Sequence, residues 1–322
     1  MTEMGISDVQ ATPPQLVRQM LAGHRLSLAR VISKVENRGS DLPQIMQLLY
    51  PHTGKAQVLG ITGPPGAGKS TLVDCMTVHY RKQGKRVAIV AVDPSSPFSG
   101  GAILGDRIRM QQHSGDAGVF IRSLGTRGKH GGLSHATKEV VLVLDAAGFE
   151  VILVETAGVG QTELDILRLA QTVAVVLVPE SGDSIQVMKA GLMEIADVFA
   201  VNKSDRPEAD KLVKELIAMV SLNPHDEKSW MIPIQKTEGL RGTGVAELIE
   251  QIERHQTFLT HSGKREDKKR EFLKNEIIDI LSERLSFSVI HQFETSSGKE
   301  VLRQLLNREI DPYQAADIIS GN

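Results

Sequence analysis

The most restrictive feature of this sequence is the octapeptide Gly63-Pro-Pro-Gly-Ala-Gly-Lys-Ser70. It matches the pattern G-x-x-x-x-G-K-[ST], follows the apolar run Val58–Thr62 and precedes an amphipathic stretch. Glycines in such a turn let main-chain N–H groups point at an anion, and the following helix adds the positive end of its dipole. A strand, this turn and a helix in succession predict an α/β fold that binds the phosphates of a nucleotide.

Short apolar runs alternate with amphipathic stretches from residue 57 onward. The runs are Val58–Thr62, Val87–Val92, Val119–Ile121, Val151–Glu155, Val173–Val178, Val198–Asn202 and Met231–Ile234. Strands that are apolar on both faces and separated by helices are typical of a parallel sheet covered on both sides. We therefore predict a doubly wound α/β core with a mostly parallel sheet, ending near Phe258.

Helical segments flank this core on both sides. Leu16–Asn37 predicts helices broken near Gly23, and Leu42–Leu49 predicts a further short helix. A charged link over residues 262–270 precedes one longer helical pattern and two shorter ones. The apolar positions of the longer pattern are Phe272, Ile277, Ile280, Leu281 and Leu285. The predicted divisions are an N-terminal helical extension (1–55), a P-loop domain (56–260) and a C-terminal helical segment (261–322), whose apolar face packs on its own P-loop domain or on a second subunit.

The octapeptide assigns separate tasks to its residues. Lys69 is expected to reach the β- and γ-phosphates and to act in catalysis, and the Ser70 hydroxyl is expected to ligate Mg²⁺. The other predicted nucleotide-binding residues here are Gly63, Pro64, Pro65, Gly66, Ala67, Gly68 and Thr71. Cys75, further along the same helix, is predicted to be a small core residue and not a catalytic one.

The tetrapeptide Asn202-Lys-Ser-Asp205 follows a late apolar run and indicates a guanine site. The Asp205 carboxylate can accept from guanine N1–H and from the exocyclic amino group, a pair of donors that adenine lacks. A buried carboxylate facing adenine would lose about 1–3 kcal/mol for each unmade bond. Lys203 is expected to lie along the base, and Asn202 to tie the loop to the P-loop. A second base-contacting loop is expected after the last strand, where the candidates are Gln235, Lys236 and Thr237.

Three carboxylates are candidate Mg²⁺ ligands beside Ser70. Glu155 ends a buried strand in Glu-Thr-Ala-Gly158, which resembles the D-x-x-G element of GTPases, and Gly158 is expected to meet the γ-phosphate. Asp93 ends another strand, and Asp106 lies in a Gly-rich stretch. Mg²⁺ takes one or two carboxylates beside phosphates and keeps several waters, so all three need not bind together. Asp106 and Glu155 are also candidates for a catalytic role.

The residue after Gly158 is Val159, where Ras-type GTPases carry the glutamine that orients the attacking water. Gln161 could take that role only if its loop moves. The sequence therefore predicts hydrolysis that is slow alone and is stimulated by a partner. Residues 125–132 and 179–189 are the segments considered as moving parts, with ordinary surface loops as the alternative.

Composition excludes several classes of protein. The formal net charge is −2 and aromatic residues make up 4% of the 322 residues, so nothing predicts binding to nucleic acid. No apolar stretch is long enough to cross a membrane, and the polar start does not read as a signal peptide. With a single cysteine the chain can form no intramolecular disulfide, and the cytoplasm is the expected location.

The motifs occur here in one characteristic order. After the octapeptide come Val-Asp93-Pro-Ser-Ser, Gly-Asp106-Arg-Ile-Arg-Met, Arg-Gly-Lys-His-Gly-Gly-Leu, Glu155-Thr-Ala-Gly-Val-Gly-Gln and Asn202-Lys-Ser-Asp. Over residues 16–310 this order resembles the MeaB/ArgK family of G3E-like P-loop GTPases.

That resemblance implies a homodimeric GTPase that binds GTP or GDP with Mg²⁺. It implies a chaperone that gates cofactor loading and protects or reactivates an adenosylcobalamin-dependent acyl-CoA mutase, methylmalonyl-CoA mutase or a relative. By motif, Lys69, Ser70, Asp93, Asp106 and Glu155 would handle phosphate and Mg²⁺, and Asn202, Lys203 and Asp205 would handle the base. The cobalamin-binding signature D-x-H-x-x-G is absent from the sequence, so a partner would have to carry the cobalamin.

Three other functions compete with this interpretation. An ATP-using kinase linked to arginine and ornithine transport would need no guanine-reading Asp205. A nickel-delivery GTPase would need clustered Cys and His ligands, whereas this chain has one Cys and ten scattered His. A protein-targeting GTPase would need a Met-rich helical groove, which the ten dispersed Met do not supply.

Overall fold

The computed structural model of the chain describes residues 11–93, 113, 115–125, 135–156, 165–179, 194–222 and 229–320. Within these ranges seven strands form one sheet, and every neighbouring pair runs parallel. The strands are β1 (Gln57–Thr62), β2 (Val87–Asp93), β3 (Val119–Gly125), β4 (Val151–Thr156), β5 (Thr172–Leu177), β6 (Val198–Val201) and β7 (Ile234–Lys236). Their order across the sheet is β3-β2-β4-β1-β5-β6-β7.

Ten α-helices lie within the described part of the chain. They are α1 (Pro13–Leu21), α2 (Arg25–Glu36), α3 (Leu42–Leu49), α4 (Lys69–Lys82), α5 (His135–Ala146), α6 (Ala209–Val220), α7 (Val245–His261), α8 (Lys264–Glu294), α9 (Ser296–Leu306) and α10 (Pro312–Ser320). Short 3₁₀ turns occupy Tyr50–His52 and Ile166–Arg168. No helix in the described ranges is both long and apolar enough to cross a membrane.

Burial on both faces explains the composition of the central strands. All six residues of β4 and all six of β5 are buried. Successive side chains of a strand point to opposite faces. Val151 and Leu153 of β4 belong to the core formed with α4 and α7, and the intervening Ile152 and Val154 are fully buried as well. The predicted α/β class, with a parallel P-loop sheet and helical extensions, is thus confirmed.

The path of the chain places one crevice at the centre of the sheet. β1 lies between β4 and β5, and the chain builds strands first on one side of β1 and then on the other. Ligands of open α/β sheets bind outside the carboxyl ends of the strands at such a reversal. The carboxyl end of β1 leads into the Gly63–Ser70 turn, so the phosphate motif lies at this crevice.

The last strand lies further along the chain than the sequence predicted. The expected run was Met231–Ile234, whereas β7 spans Ile234–Lys236. Pro233 has no N–H to donate to a ladder, and its carbonyl accepts from Phe199 N at 2.9 Å, just before the strand begins. Met231 is 68% exposed and contributes nothing to the buried sheet.

The N-terminal helices pack on the P-loop core. Contacts between α-carbons divide the chain into a first unit over residues 1–265 and a second over residues 266–322, and α1–α3 belong to the first. Arg38 forms an ion pair of 2.9 Å with Glu139 of α5. The Asp145 carboxylate, also on α5, accepts from the main-chain N–H groups of residues 54–56. The extension is therefore fixed to the helix that covers β2 and β4.

The second unit holds most of α8 together with α9 and α10. Its small core joins Val301 of α9 to Ala315 and Ile319 of α10. None of the 31 residues of α8 is buried. The predicted boundaries at residues 55 and 260 stay predictions.

Candidate nucleotide site

The phosphate turn has a main-chain shape that glycine alone tolerates at two positions. Gly63 has φ +138°, and a Cβ there would lie 2.1 Å from the carbonyl oxygen of Val176. Gly68 has φ +85°, and a Cβ there would lie 2.4 Å from Asn202 Nδ2. Both φ values are positive, and residues other than glycine rarely adopt positive φ values. The turn is thus pressed between β5 and the loop after β6, as a phosphate cradle requires.

Lys69 lies over this turn at the start of α4. Its Nζ donates to Gly63 O at 2.9 Å and to Pro64 O at 3.1 Å, and the residue is only 6% exposed. A phosphate oxygen is charged and accepts more strongly than a carbonyl. The ammonium group thus lies against the carbonyl oxygens of the phosphate turn, and its contact with phosphates stays a prediction.

Ser70 and Glu155 meet at the same crevice. The Ser70 hydroxyl donates to Glu155 Oε1 at 2.7 Å, and Glu155 is 5% exposed at the end of β4. Strand β2 runs beside β4, and Val92 of β2 lies opposite Thr156 of β4. Asp93 is the residue of β2 that follows Val92. A buried carboxylate and a hydroxyl beside the phosphate turn form an oxygen-donor set that fits Mg²⁺.

Other predicted members of this site lie outside the described residues. They are Asp106, Gly158, Val159 and Gln161. Among the residues that are described, no group of three or more His, Cys, Asp or Glu side chains is placed to hold a metal ion by itself.

Asn202 connects the phosphate turn to the loop that follows β7. Its Nδ2 donates to Ala67 O at 2.8 Å, and its Oδ1 accepts from Gly239 N at 2.9 Å and from Thr237 Oγ1 at 3.3 Å. Asn202 is 2% exposed. One amide side chain therefore satisfies main-chain groups from both loops and fixes their separation.

The rest of the tetrapeptide forms a tight turn at the surface. Lys203 has φ +55°, and Ser204 N donates to Thr237 O at 3.1 Å. A left-handed φ is uncommon outside glycine and is maintained only where neighbouring structure demands it. Asp205 follows this turn and is exposed. The contact of its carboxylate with guanine stays a prediction.

Only one of the three candidates predicted to follow the last strand, Thr237, lies after it. Gln235 and Lys236 lie within β7, and Lys236 pairs with Asp210 of α6. The hydrogen bond from Lys236 is the main cause that lowers the pKa of Asp210. Thr237 reaches Asn202, as described above.

The sequence did not point to Gly239. The predicted last strand began three residues too early, so Gln235 and Lys236, which belong to β7, were assigned to the loop that follows it. The position of Pro233 was the signal that could have moved that prediction, since proline cannot donate to the ladder. The segment 237–243, here called the base-side loop, contains the contacts to Asn202. Its shape comes from Glu238 N donating to Thr243 O at 2.9 Å and Gly242 N donating to Glu238 O at 2.8 Å.

Cys75 also contacts this loop. It packs against the core, as predicted, but is only partly buried, and its Sγ lies 2.9 Å from Gly239 O. Burial, followed by the charge of Asp74, raises the pKa of the Cys75 thiol. The group is therefore a protonated thiol at neutral pH and acts as the donor.

Three features define a P-loop nucleotide-binding protein. They are the parallel sheet, the glycine-rich phosphate turn with Lys69 and Ser70, and the Asn202 side chain that joins this turn to the base-side loop. Residues 28–294 match the family model described as methylmalonyl-CoA mutase-associated GTPase MeaB. The chain belongs to the MeaB family of GTPases, as the order of its motifs predicted.

Individual relatives agree with this assignment. A protein of Pyrococcus horikoshii is 47% identical over 307 residues, which cover 95% of this chain and 96% of that one. The mouse protein named methylmalonic aciduria type A homolog, mitochondrial, is 30% identical over 338 aligned residues, covering 98% of this chain and 80% of the mouse protein. A crystal structure titled LAO/AO transport system kinase shares the fold, with a TM-score of 0.69, 24% identity and 98% coverage of both chains.

Proposed function

We propose that this chain is a Mg²⁺-dependent GTPase that serves as a chaperone for an adenosylcobalamin-dependent acyl-CoA mutase, methylmalonyl-CoA mutase or a relative. The observation that carries the nucleotide part is the Asn202 side chain, which joins the P-loop to the base-side loop beside Asp205. The mutase part is supported by membership of a family described as mutase-associated. The site supplies contacts for a nucleotide, and the role we propose for it is regulation by GTP.

In the proposed reaction the chain acts mainly by positioning and by charge, because phosphoryl transfer needs little covalent help from a protein. Lys69 exchanges the carbonyl oxygens of Gly63 and Pro64 for the β- and γ-phosphates, which are stronger acceptors. Glu155 accepts from the Ser70 hydroxyl and thereby fixes the orientation of that hydroxyl at the start of α4. Mg²⁺ bound by Ser70 with Glu155 or Asp93 would supply positive charge to the phosphate oxygens.

Slow intrinsic hydrolysis is part of the proposal and rests on the sequence. Val159 follows Gly158 in place of a water-orienting glutamine. A partner would then speed hydrolysis by repositioning Gln161, or an arginine such as Arg107 or Arg109. An arginine that reaches the transition-state charge contributes about 10³–10⁵ in dissected GTPase systems, so even partial repositioning would be measurable.

Coupling to a mutase follows from linkage. If the mutase binds the GTP form and the GDP form with different affinity, then bound mutase must change the relative affinity for GTP and GDP by the same free energy. The test is to load a candidate mutase with adenosylcobalamin in the presence of this protein and GTP, GDP or a non-hydrolysable GTP analogue. The proposal expects loading to depend on which nucleotide is bound. Equal loading in all three conditions for every cobalamin-dependent mutase would contradict the chaperone role and leave the GTPase assignment standing.

We also propose that the protein is a homodimer assembled through α8. Ile277, Leu281 and Leu285 recur every four residues, on one face of the helix, and are 59%, 51% and 65% exposed. A stripe of this kind needs an apolar partner surface, and a second copy of the same stripe supplies one by two-fold symmetry.

The dimer is tested by light scattering on charge variants of α8. Leu281→Glu combined with Leu285→Glu should yield a monomer, because carboxylates replace the apolar contact. Ser282→Glu combined with Ser286→Glu is the matched control, since it adds the same charges at the same spacing about 100° around the helix. A monomeric unsubstituted protein, or a dimer that survives the leucine substitutions, would refute the assignment.

A further inference from the structure

Helix α4 contacts the base-side loop as well as the phosphates. The helix begins at Lys69, and two turns later Cys75 Sγ lies 2.9 Å from the carbonyl oxygen of Gly239. The same stretch of helix lines the loop more broadly. A Cβ placed on Gly239 would lie 3.4 Å from Thr71 Cγ2 and 3.5 Å from Leu72 N. The loop therefore rests directly on the first turns of the P-loop helix.

Both main-chain polar groups of Gly239 are held by side chains. Its N–H donates to Asn202 Oδ1 at 2.9 Å, and its carbonyl accepts from the Cys75 thiol. Asn202 in turn donates from Nδ2 to Ala67 O at 2.8 Å. A continuous path of hydrogen bonds thus leads from α4 through Gly239 and Asn202 back to the phosphate turn.

The internal bonds of the loop do not fix its distance from α4. The bonds between Glu238 and Thr243 and between Gly242 and Glu238 join loop residues to one another. The ion pair of Arg241 with Glu238 is likewise local. Cys75 and Asn202 are the side chains described above that tie Gly239 to elements outside the loop.

We propose that Cys75 is a positioning residue for guanine selection, which holds the base-side loop at the correct distance from the P-loop helix. This inference rests on the proposed binding of guanine nucleotides. The thiol donates to Gly239 O, so its effect on the nucleotide passes through that residue. Loss of the donor lets Gly239 move away from α4, and the base-reading surface then fits guanine less closely, whereas an adenine nucleotide, held mainly by its phosphates, is little affected.

The experiment measures dissociation constants for GDP and ADP, together with kcat and KM for GTP and the thermal midpoint. Cys75→Ala and Cys75→Val both remove the donor, and Cys75→Val fills the position with a somewhat larger apolar side chain if Cys75→Ala folds poorly. Cys75→Ser keeps a hydroxyl donor. Thr77→Val is the matched control on the same helix, because its hydroxyl donates to Val73 O within the helix.

The donor-free variants should bind GDP about three- to fivefold more weakly with ADP binding unchanged, the size of one modest hydrogen bond. KM for GTP should rise by a similar factor while kcat holds. Cys75→Ser should restore the GDP-to-ADP ratio to within about twofold, and Thr77→Val should leave that ratio unaltered.

Three results would overturn the inference in distinguishable ways. An unchanged GDP-to-ADP ratio in both donor-free variants would show that Cys75 only packs. A ratio equally reduced in Cys75→Ser would show that the hydrogen bond is not the cause. Equal affinity of the unsubstituted protein for GDP and ADP would remove the proposed guanine function, and this inference with it.

Discussion

Replacing Asn202 by alanine is the substitution for which the structure gives the clearest magnitude. The change removes three hydrogen bonds, to Ala67 O, Gly239 N and Thr237 Oγ1. Because Asn202 is 2% exposed, the main-chain groups of Ala67 and Gly239 lose their partner in a region that water scarcely reaches. Each such unmade bond costs about 1–3 kcal/mol.

Leaving the two main-chain groups unpaired therefore costs about 2 kcal/mol or more. This cost corresponds to a change of about thirtyfold or more in an equilibrium constant. These bonds exist in the free protein, so part of the cost should appear as a lower thermal midpoint and part as weaker GDP binding. Titration with a fluorescent GDP analogue and thermal denaturation measure the two parts. Asn202→Asp is the informative companion, because it keeps an acceptor for Gly239 but faces Ala67 O with a carboxylate oxygen in place of a donor.

We expect Asn202→Ala and Asn202→Asp both to weaken GDP binding, with Asn202→Asp no better than Asn202→Ala at joining the P-loop. A GDP affinity within about threefold of the unsubstituted protein in Asn202→Ala, with an unchanged thermal midpoint, would refute the role given to this side chain.

Four further outcomes are expected, three at the nucleotide site and one at α8. In competition binding, GTP should displace a labelled GDP far better than ATP does, and equal competition by ATP would contradict the guanine assignment. Asp205→Asn should shift the preference toward xanthine nucleotides, whose 2-oxo group can accept from an amide. Lys69→Ala should abolish hydrolysis in a phosphate-release assay, because it removes the cation beside the phosphates, and retained turnover would contradict that placement. Glu155→Ala should chiefly raise the Mg²⁺ concentration required, so wild-type activity across a Mg²⁺ titration would show that the carboxylate was misassigned. Light scattering should show that the Leu281→Glu, Leu285→Glu protein is a monomer, whereas the control with Ser282→Glu and Ser286→Glu is a dimer.

The elements that local sequence defines were predicted well. The phosphate turn is recognisable because its glycines, lysine and serine are contiguous, and the buried runs before and after it are apolar on both faces. β4 was predicted over Val151–Glu155 and spans Val151–Thr156. The pattern sufficed here because the first four residues of this central strand, Val151–Val154, are all apolar and buried.

Strands at the edges were predicted less well, because tertiary contacts decide their length. β3 was expected over Val119–Ile121 but continues to Gly125. The polar residues Arg122 and Ser123 interrupt the apolar run, yet Arg122 pairs with Glu36 of α2, which covers this edge. A partner 86 positions away in the chain cannot be read from the strand itself.

The contacts around the base were the part that sequence could not supply. Cys75 and Gly239 are 164 positions apart, and nothing in either local sequence indicates that they meet. Their contact depends on α4 and β7 flanking the same crevice, which becomes visible only once the strand order is known. Asn202, in contrast, was predicted to tie its loop back to the P-loop, and its bond to Ala67 O has that geometry.

We propose that the rate of GTP hydrolysis by this protein times its action on a cobalamin-dependent acyl-CoA mutase. The most direct test is the rate of GTP turnover by the purified protein, alone and with candidate mutases added one at a time, using Lys69→Ala as the background control. Turnover should be slow for the protein alone and should rise severalfold or more with the matching mutase, in proportion to the complex formed. Turnover that no cobalamin-dependent mutase changes would contradict the claim.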